Sequence, residues 1–268
     1  MQVRRLIQGR TPLLVSIPHM GTYLPPDIRA RLNDTGRALP DTDWHLDRLY
    51  DFAVDMGASV LMSTHSRYVV DLNRAQEDTD LYPGQVKTGL CPLQTFDGED
   101  IYAEGEAPDG IEKLNRVAAY WLPYHETLAA ELARLKSQYG YAILYDAHSI
   151  RAEVPRLFDG RLWDLNLGTA HDTSCDAAMS QAALAAAASG GYSAVLNKRF
   201  VGGYITRGYG RPAENVHAIQ MELIWDLYMD SGAPYHYREE KADKLKPVLT
   251  SVLQSLLDWG HARYGNQA

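Results

Sequence analysis

Apolar positions fall into two patterns along the chain. Short unbroken runs stand at Leu13–Ile17, Ser59–Met62, Tyr68–Leu72, Ala142–Tyr145 and Ala218–Leu223. Runs of this kind, rich in Val, Ile and Leu, suit strands buried in a sheet that helices cover on both faces. Between them, apolar residues recur at helical spacing. Asp41 to Met56 is one such stretch, with Gly57 as its stop. Ile111 to Tyr139 is longer and ends at Gly140, and Pro123 should kink or split it. Ser174–Ala188 and Lys241–Arg263 complete the set. Strands alternating with helices predict an α/β fold with a mostly parallel, mixed central sheet flanked by helices.

From Ala75 to Gly110 the periodicity stops, and Gly and Pro are frequent. So long a stretch without pattern in a compact fold is a functional insertion, or it hides short elements. Ser149–Thr173 and Gly202–Pro212 are further loop regions rich in Gly, Arg and aromatics. No linker divides the chain, so residues 1–268 read as a single α/β domain with a loop-rich insertion at about 75–110. No run approaches the ~18 apolar residues of a membrane span. The run Leu13 to Ile17 is shorter than a signal-peptide core, so it reads as a first strand and the protein as cytoplasmic.

Composition narrows the function classes. Hydrophobic residues make up 46% and charged residues 22%, which excludes a disordered or fibrous chain. The formal net charge of −8 leaves little to gain from counterion release on phosphates, so nucleic acid is not an expected partner. A small anionic substrate would need positive charge gathered inside a pocket. Two cysteines, Cys91 and Cys175, are too few for a disulfide framework.

In open α/β sheets, ligands bind beyond the carboxyl ends of the strands. The residues there are His19 after the first run, Asp71-Leu72-Asn73-Arg74 at the end of the third, and Asp146-Ala147-His148-Ser149 after the fourth. His19 and His148 occupy equivalent places. Two such histidines with one carboxylate form a set that can hold a catalytic divalent metal, zinc above all, with a position left for water. The carboxylate is sought in Asp41-Thr42-Asp43-Trp44-His45-Leu46-Asp47, where Asp43 is chosen over Asp41 and Asp47. Asp41 or Thr42 equally suits a helix cap, and Asp47 a solvated helix position. His45, His125 and His171 have no partner visible in the sequence and read as structural or surface residues. Glu222 lies inside an apolar run, where an unpaired charge is costly. It is either a general base or half of a structural ion pair. Arg74 beside Asn73 suggests a planar fork for a substrate carboxylate, with Arg67 and Arg207 as further local cations. The Gly-x-Ser-x-Gly nucleophile elbow is absent, so a serine hydrolase has little support.

The order His19, acidic residue, Asp71-Leu72-Asn73-Arg74, His148, Glu222 resembles the zinc carboxypeptidase and aspartoacylase superfamily. The segments LLVSIPHMG, LPDTDWHLDRLYDFA, SRYVVDLNR, GYAILYDAHSIR, LFDG, DLNLGT, GGYITRGYG and VHAIQMEL, spread from about Leu13 to about Met229, are similar to the N-formylglutamate deformylases within it. The resemblance implies a zinc carboxypeptidase-like (phosphorylase/hydrolase-like) fold. It implies one Zn2+ on His19, an acidic residue and His148, with Glu222 as catalytic base. It also implies that Asn73 and Arg74 hold one substrate carboxylate. The mechanism drawn from these residues adds Arg207 for the other carboxylate and Arg67 for the oxyanion. The implied substrate is a small dicarboxylate, N-formyl-L-glutamate, hydrolysed to formate and L-glutamate late in histidine degradation. A related zinc amidohydrolase or carboxypeptidase for another N-acyl amino acid is the competing reading. One departure stands out. Zinc carboxypeptidases carry the acidic ligand three residues after the first His, and here that residue is Thr22, so the carboxylate must come from elsewhere.

Overall fold

The computed structural model describes residues 2–78 and 88–265. Among them are β1 (Arg4–Ile7), β2 (Leu13–Ile17), β3 (Ser59–Ser63), β4 (Ala142–Ile150), β5 (Leu165–Gly168), β6 (Ala194–Leu196) and β7 (Val216–Ile224). They form one seven-stranded sheet in the order β1-β3-β2-β4-β7-β5-β6. The central strands β3, β2, β4 and β7 are parallel. At the flanks β1 is antiparallel to β3 and β5 antiparallel to β7, while β6 runs parallel to β5. The sheet is thus mixed and mostly parallel at its centre, as the run pattern predicts.

Helices cover both faces, which is why the central strands read as unbroken apolar runs. Leu13, Val15 and Ile17 pack into one core with the helices Ala177–Ser189 and Glu239–Tyr264. Leu14 faces the other way, into a core with the helix Leu122–Tyr139. That helix continues from Gly110–Arg116 through a π-helical turn, Val117–Trp121, placed just before Pro123. Proline's missing N–H and its ring clash would break an α-helical ladder, and a widened turn absorbs both. Gly140 closes the helix in the left-handed region (φ 81°), which costs glycine little.

Two expectations are corrected. Tyr68–Leu72 is buried but is no strand. The carbonyls of Tyr68 and Val69 instead accept from the buried Arg116 guanidinium (3.4 and 3.1 Å), and the N–H of Asp71 donates to Leu90. An arginine fork and a crossing segment do there what a neighbouring strand would do. The helix expected over Asp41–Met56 begins only at Leu46 and is interrupted between Leu46–Leu49 and Phe52–Asp55. His45 takes φ 61°, so Asp41 to His45 form a loop.

Parts of the described Ala75–Gly110 insertion pack against the body, while Ala103–Ala107 is exposed. Ile101 and Tyr102 join Leu24, Ile28, Leu32, Tyr68 and Val69 in a satellite core. Pro83 and Gly84 lie outside the described residues.

Strand periodicity also places the chemistry. Alternate residues of a strand share a face. On the face towards Leu122–Tyr139, β4 presents Ala142, Leu144, Asp146 and His148, and β7 presents Val216, Ala218, Gln220 and Glu222. Each stripe is apolar at its amino end and polar at its carboxyl end. The parallel register aligns Asp146 with Gln220 and His148 with Glu222.

Candidate functional site

His19 leaves the carboxyl end of β2 with its carbonyl accepting from the N–H of Asp43 (3.1 Å). That bond draws the Asp41–His45 loop over the strand ends. Asp43 Oδ2 then lies 3.8 Å from His19 Nδ1 and 3.1 Å from His148 Nδ1. Ligand-capable atoms of the three residues all fall within 4.8 Å of one another, and all three are buried. No other such group of three occurs among the described residues.

The outer nitrogens of both histidines are tied to carboxylates. His19 Nε2 donates to Asp71 Oδ1 (2.7 Å) and His148 Nε2 donates to Asp146 Oδ2 (2.9 Å). Carboxylates only accept, so each ring carries a proton on Nε2. The Nδ1 of each ring faces Asp43, and His148 Nδ1, 3.1 Å from Asp43 Oδ2, also holds a proton wherever no metal takes its place. A second carboxylate behind each ligating imidazole is the usual support of a metal site, because it sets the tautomer and orients the ring. Two histidines and one carboxylate suit zinc and other divalent ions that take nitrogen and oxygen ligands. The residues present therefore fit a divalent cation.

The charges around this cluster pull in different directions. Burial pushes the His19 imidazole down, and the nearby Arg67 adds to that, against the carboxylates of Asp71 and Asp43. Burial would lower His148 too, but Asp146 and Asp43 overcome it and raise it well above the ordinary histidine range. Burial opposes Asp71 as well, yet His19 and Arg67 hold it well below the usual carboxylate range. Glu222 is raised to about 8, chiefly by burial, with the charge of Asp43 adding to it and His148 opposing.

Three consecutive carbonyls fix the turn beside the cluster. Leu72 O accepts from His125 Nε2 (2.8 Å), Asn73 O from the N–H of Tyr204 (3.4 Å), and Arg74 O from Trp121 Nε1 (2.9 Å). The Asn73 amide is held at both ends. Its Oδ1 accepts from the N–H of Ile205 (2.8 Å), and its Nδ2 donates to Asp146 Oδ2 (3.4 Å).

A cleft with about 760 Å³ of empty space, open mouth included, lies over this cluster. His19, Asp43, His148, Arg67, Asn73, Arg74 and Glu222 all line it. Arg67 is bound to Asp71 Oδ2 (2.6 Å), and Arg74 donates to Thr88 Oγ1 (3.1 Å). The Nε atoms of both arginines are buried with no hydrogen-bond partner among the described residues. Arg207 is not among the described residues lining the cleft, and its Nε donates to Gly202 O (2.8 Å). Of the alternative acids, Asp41 binds the hydroxyl of Tyr68 (2.7 Å) and the N–H of Phe96 (2.8 Å), and Asp47 is exposed.

Several cleft residues carry no mark in the residue runs. Asp71 stands behind His19 at the cleft, Asp146 stands behind His148 beneath it, and Arg199, Phe96 and Gln220 line the wall. Asp146 had a usable signal: it lies two residues before His148 on β4, so the extended chain puts both on the same face. Asp71 instead caps the turn, its Oδ1 accepting from the N–H of Asn73 (2.9 Å). Arg199 and Phe96 had none, being loop residues brought in by tertiary packing.

Known proteins align with this chain along most of its length. The family model for N-formylglutamate amidohydrolase matches residues 11–229. A curated N-formylglutamate deformylase of Pseudomonas aeruginosa is 54% identical over 96% of this chain and 97% of the relative. The one of Pseudomonas putida is 50% identical over 96% of each. In fold, the chain is similar to the crystal structure of N-formylglutamate amidohydrolase from Ralstonia eutropha JMP134. The TM-score is 0.83 at 23% identity, over 98% of this chain and 99% of the other. The chain belongs to the N-formylglutamate amidohydrolase family.

Proposed function

We propose that this protein hydrolyses N-formyl-L-glutamate to formate and L-glutamate, using one divalent metal, zinc, held by His19, Asp43 and His148. The observation that carries the reading is the close buried cluster of these three residues, with Glu222 facing it from the adjoining strand in register with His148. When bound, the metal supplies Lewis acidity that acidifies water and draws charge from the formyl carbonyl. Glu222 takes a proton from the attacking water and later delivers it to the leaving nitrogen, as a buried carboxylate with a raised pKa can. Arg67, fixed by Asp71 and stacked 4.7 Å from the Phe96 ring centroid, offers positive charge to the oxygen that becomes negative. Arg74 grips a substrate carboxylate. Asn73 supports that grip from behind, since both ends of its amide already hold protein groups. Arg207 contributes by holding the Gly202 backbone. Fixing the dicarboxylate aims the small formyl group at the metal.

The substrate places the reaction late in histidine degradation, in the cytoplasm. Among the described residues, no helix is long and apolar enough to cross a membrane. Formate release from N-formyl-L-glutamate, before and after chelation and zinc add-back, tests the proposal. Activity lost on chelation and regained with zinc is the expected result. Activity that survives demonstrated loss of the metal would refute the metal assignment, and no turnover by folded, zinc-loaded protein would refute the substrate.

A further inference from the structure

Gln220 shares the polar end of the β7 stripe with Glu222, and both line the cleft. Like Glu222 it is a polar residue inside an apolar run, and it is only 3% exposed. A buried amide has two ends to satisfy. One end is settled, because Oε1 accepts from the N–H of Gly203 (2.7 Å), on the segment that follows β6. That segment is tightly seated, since a Cβ on Gly203 would meet Asn73 Nδ2 at 2.3 Å. Only the oxygen of the amide can meet an N–H, so the Gln220 amide cannot turn over. Its Nε2 makes no hydrogen bond among the described residues. The cleft wall therefore carries a held amide donor for which the described residues supply no acceptor.

The position of this donor sets a length. Two residues of strand advance about 6.6 Å, the step from Glu222 back to Gln220 on the same face of β7. In extended N-formyl-L-glutamate the reacting nitrogen and the far carboxylate oxygens are about 6 Å apart, whereas the α-carboxylate oxygens stay within about 4 Å of that nitrogen. Proton delivery places Glu222 at the reacting nitrogen. The far carboxylate then comes level with Gln220. The near carboxylate cannot reach so far and is left to Arg74.

We propose that Gln220 is a specificity-determining residue, whose Nε2 donates to the side-chain carboxylate of the acyl-amino acid and so matches the site to the length of glutamate. The assignment rests on the hydrolase reading above. It is tested by the ratio of kcat/KM for N-formyl-L-glutamate to that for its neutral isostere N-formyl-L-glutamine, in zinc-loaded wild type, Gln220→Met and Gln220→Glu. A donor lost from a charged acceptor should lower the ratio about 10-fold in Gln220→Met. In Gln220→Glu, which keeps an acceptor for Gly203 and sets a carboxylate against the substrate's own, the fall should reach about 100-fold. A purely structural role would lower both substrates alike. An unchanged ratio in Gln220→Met would therefore overturn the assignment, however far the absolute rates fell. If wild type turned over no N-formyl compound, the hydrolase reading would fall by itself, and binding would decide on Gln220. N-formyl-L-glutamate should then raise the melting temperature of wild type more than N-formyl-L-glutamine does, and the difference should vanish in Gln220→Met. No difference in wild type, or the same difference in the variant, would overturn it.

Discussion

His125 and His148 are both buried, both flank the Leu72–Arg74 turn, and both have partners at each ring nitrogen. The partners differ. His125 is boxed by aromatic rings, stacked on Trp121 with centroids 3.7 Å apart and lying parallel to Tyr209. Its Nε2 donates to a carbonyl and its Nδ1 accepts from the Tyr209 hydroxyl (2.9 Å), so a neutral imidazole satisfies every bond. His148 lies between the carboxylates of Asp146 and Asp43. A neutral ring cannot balance two acids out of water, so the place calls for a cation, whether a proton or a metal ion. Closed, neutral bonding makes a structural histidine. Surplus negative charge on one face makes a binding one.

Substitution should separate the two regions most sharply at the ligands. His148→Ala is expected to abolish stoichiometric zinc binding and activity together, measured by metal analysis and formate release, whereas His125→Ala should keep its zinc. Glu222→Gln comes next: kcat should fall about 10²–10⁴-fold with zinc still bound. Near-normal kcat would remove Glu222 as the base. Asp146→Asn, which loses the carboxylate behind His148, should cost about 10–100-fold in zinc affinity or activity. Competition with a chelator of known affinity checks it, and an unchanged affinity would make Asp146 a bystander.

On the aromatic side the effect is on stability. His125→Ala leaves Leu72 O without its donor and opens a cavity between Trp121 and Tyr209, which should cost about 2–4 kcal/mol in urea unfolding. The smallest expected effect is a pH dependence at the far end of β7. Burial pushes His217 down to about 4, and its Nδ1 accepts from the N–H of Asp176 (3.1 Å). The unfolded chain therefore binds this proton more readily than the folded one. The contribution is full above about pH 6.5, the ordinary histidine range, and is lost as the pH falls from there towards 4. Urea midpoints between pH 7.5 and 4.5 should fall less in His217→Gln than in wild type. Identical slopes would show that His217 is not the titrating group.

Periodicity alone determined much of this molecule. The runs at Leu13–Ile17, Ala142–Tyr145 and Ala218–Leu223 are the central parallel strands because burial on both faces leaves no polar alternation to hide them. The polar residues at their carboxyl ends mark where a ligand would sit, and His19, His148 and Glu222 follow from that rule. β5 and β6 escaped notice because four- and three-residue strands carry too little pattern, and Tyr68–Leu72 misled because apolar burial does not reveal who takes the carbonyls. Tertiary structure decided the rest. Asp43 was one of three nearby aspartates until a backbone bond to His19 pulled its loop across the strand ends, leaving Asp41 to Tyr68 and Asp47 to solvent. Arg199 lines the cleft because the segment after β6 folds back over Gly168 and Gln220, whereas Arg207 lies on the helix Tyr204–Tyr209 that follows and is not in the described lining. Such choices depend on distances between segments remote in the chain, and no local pattern of residues encodes them.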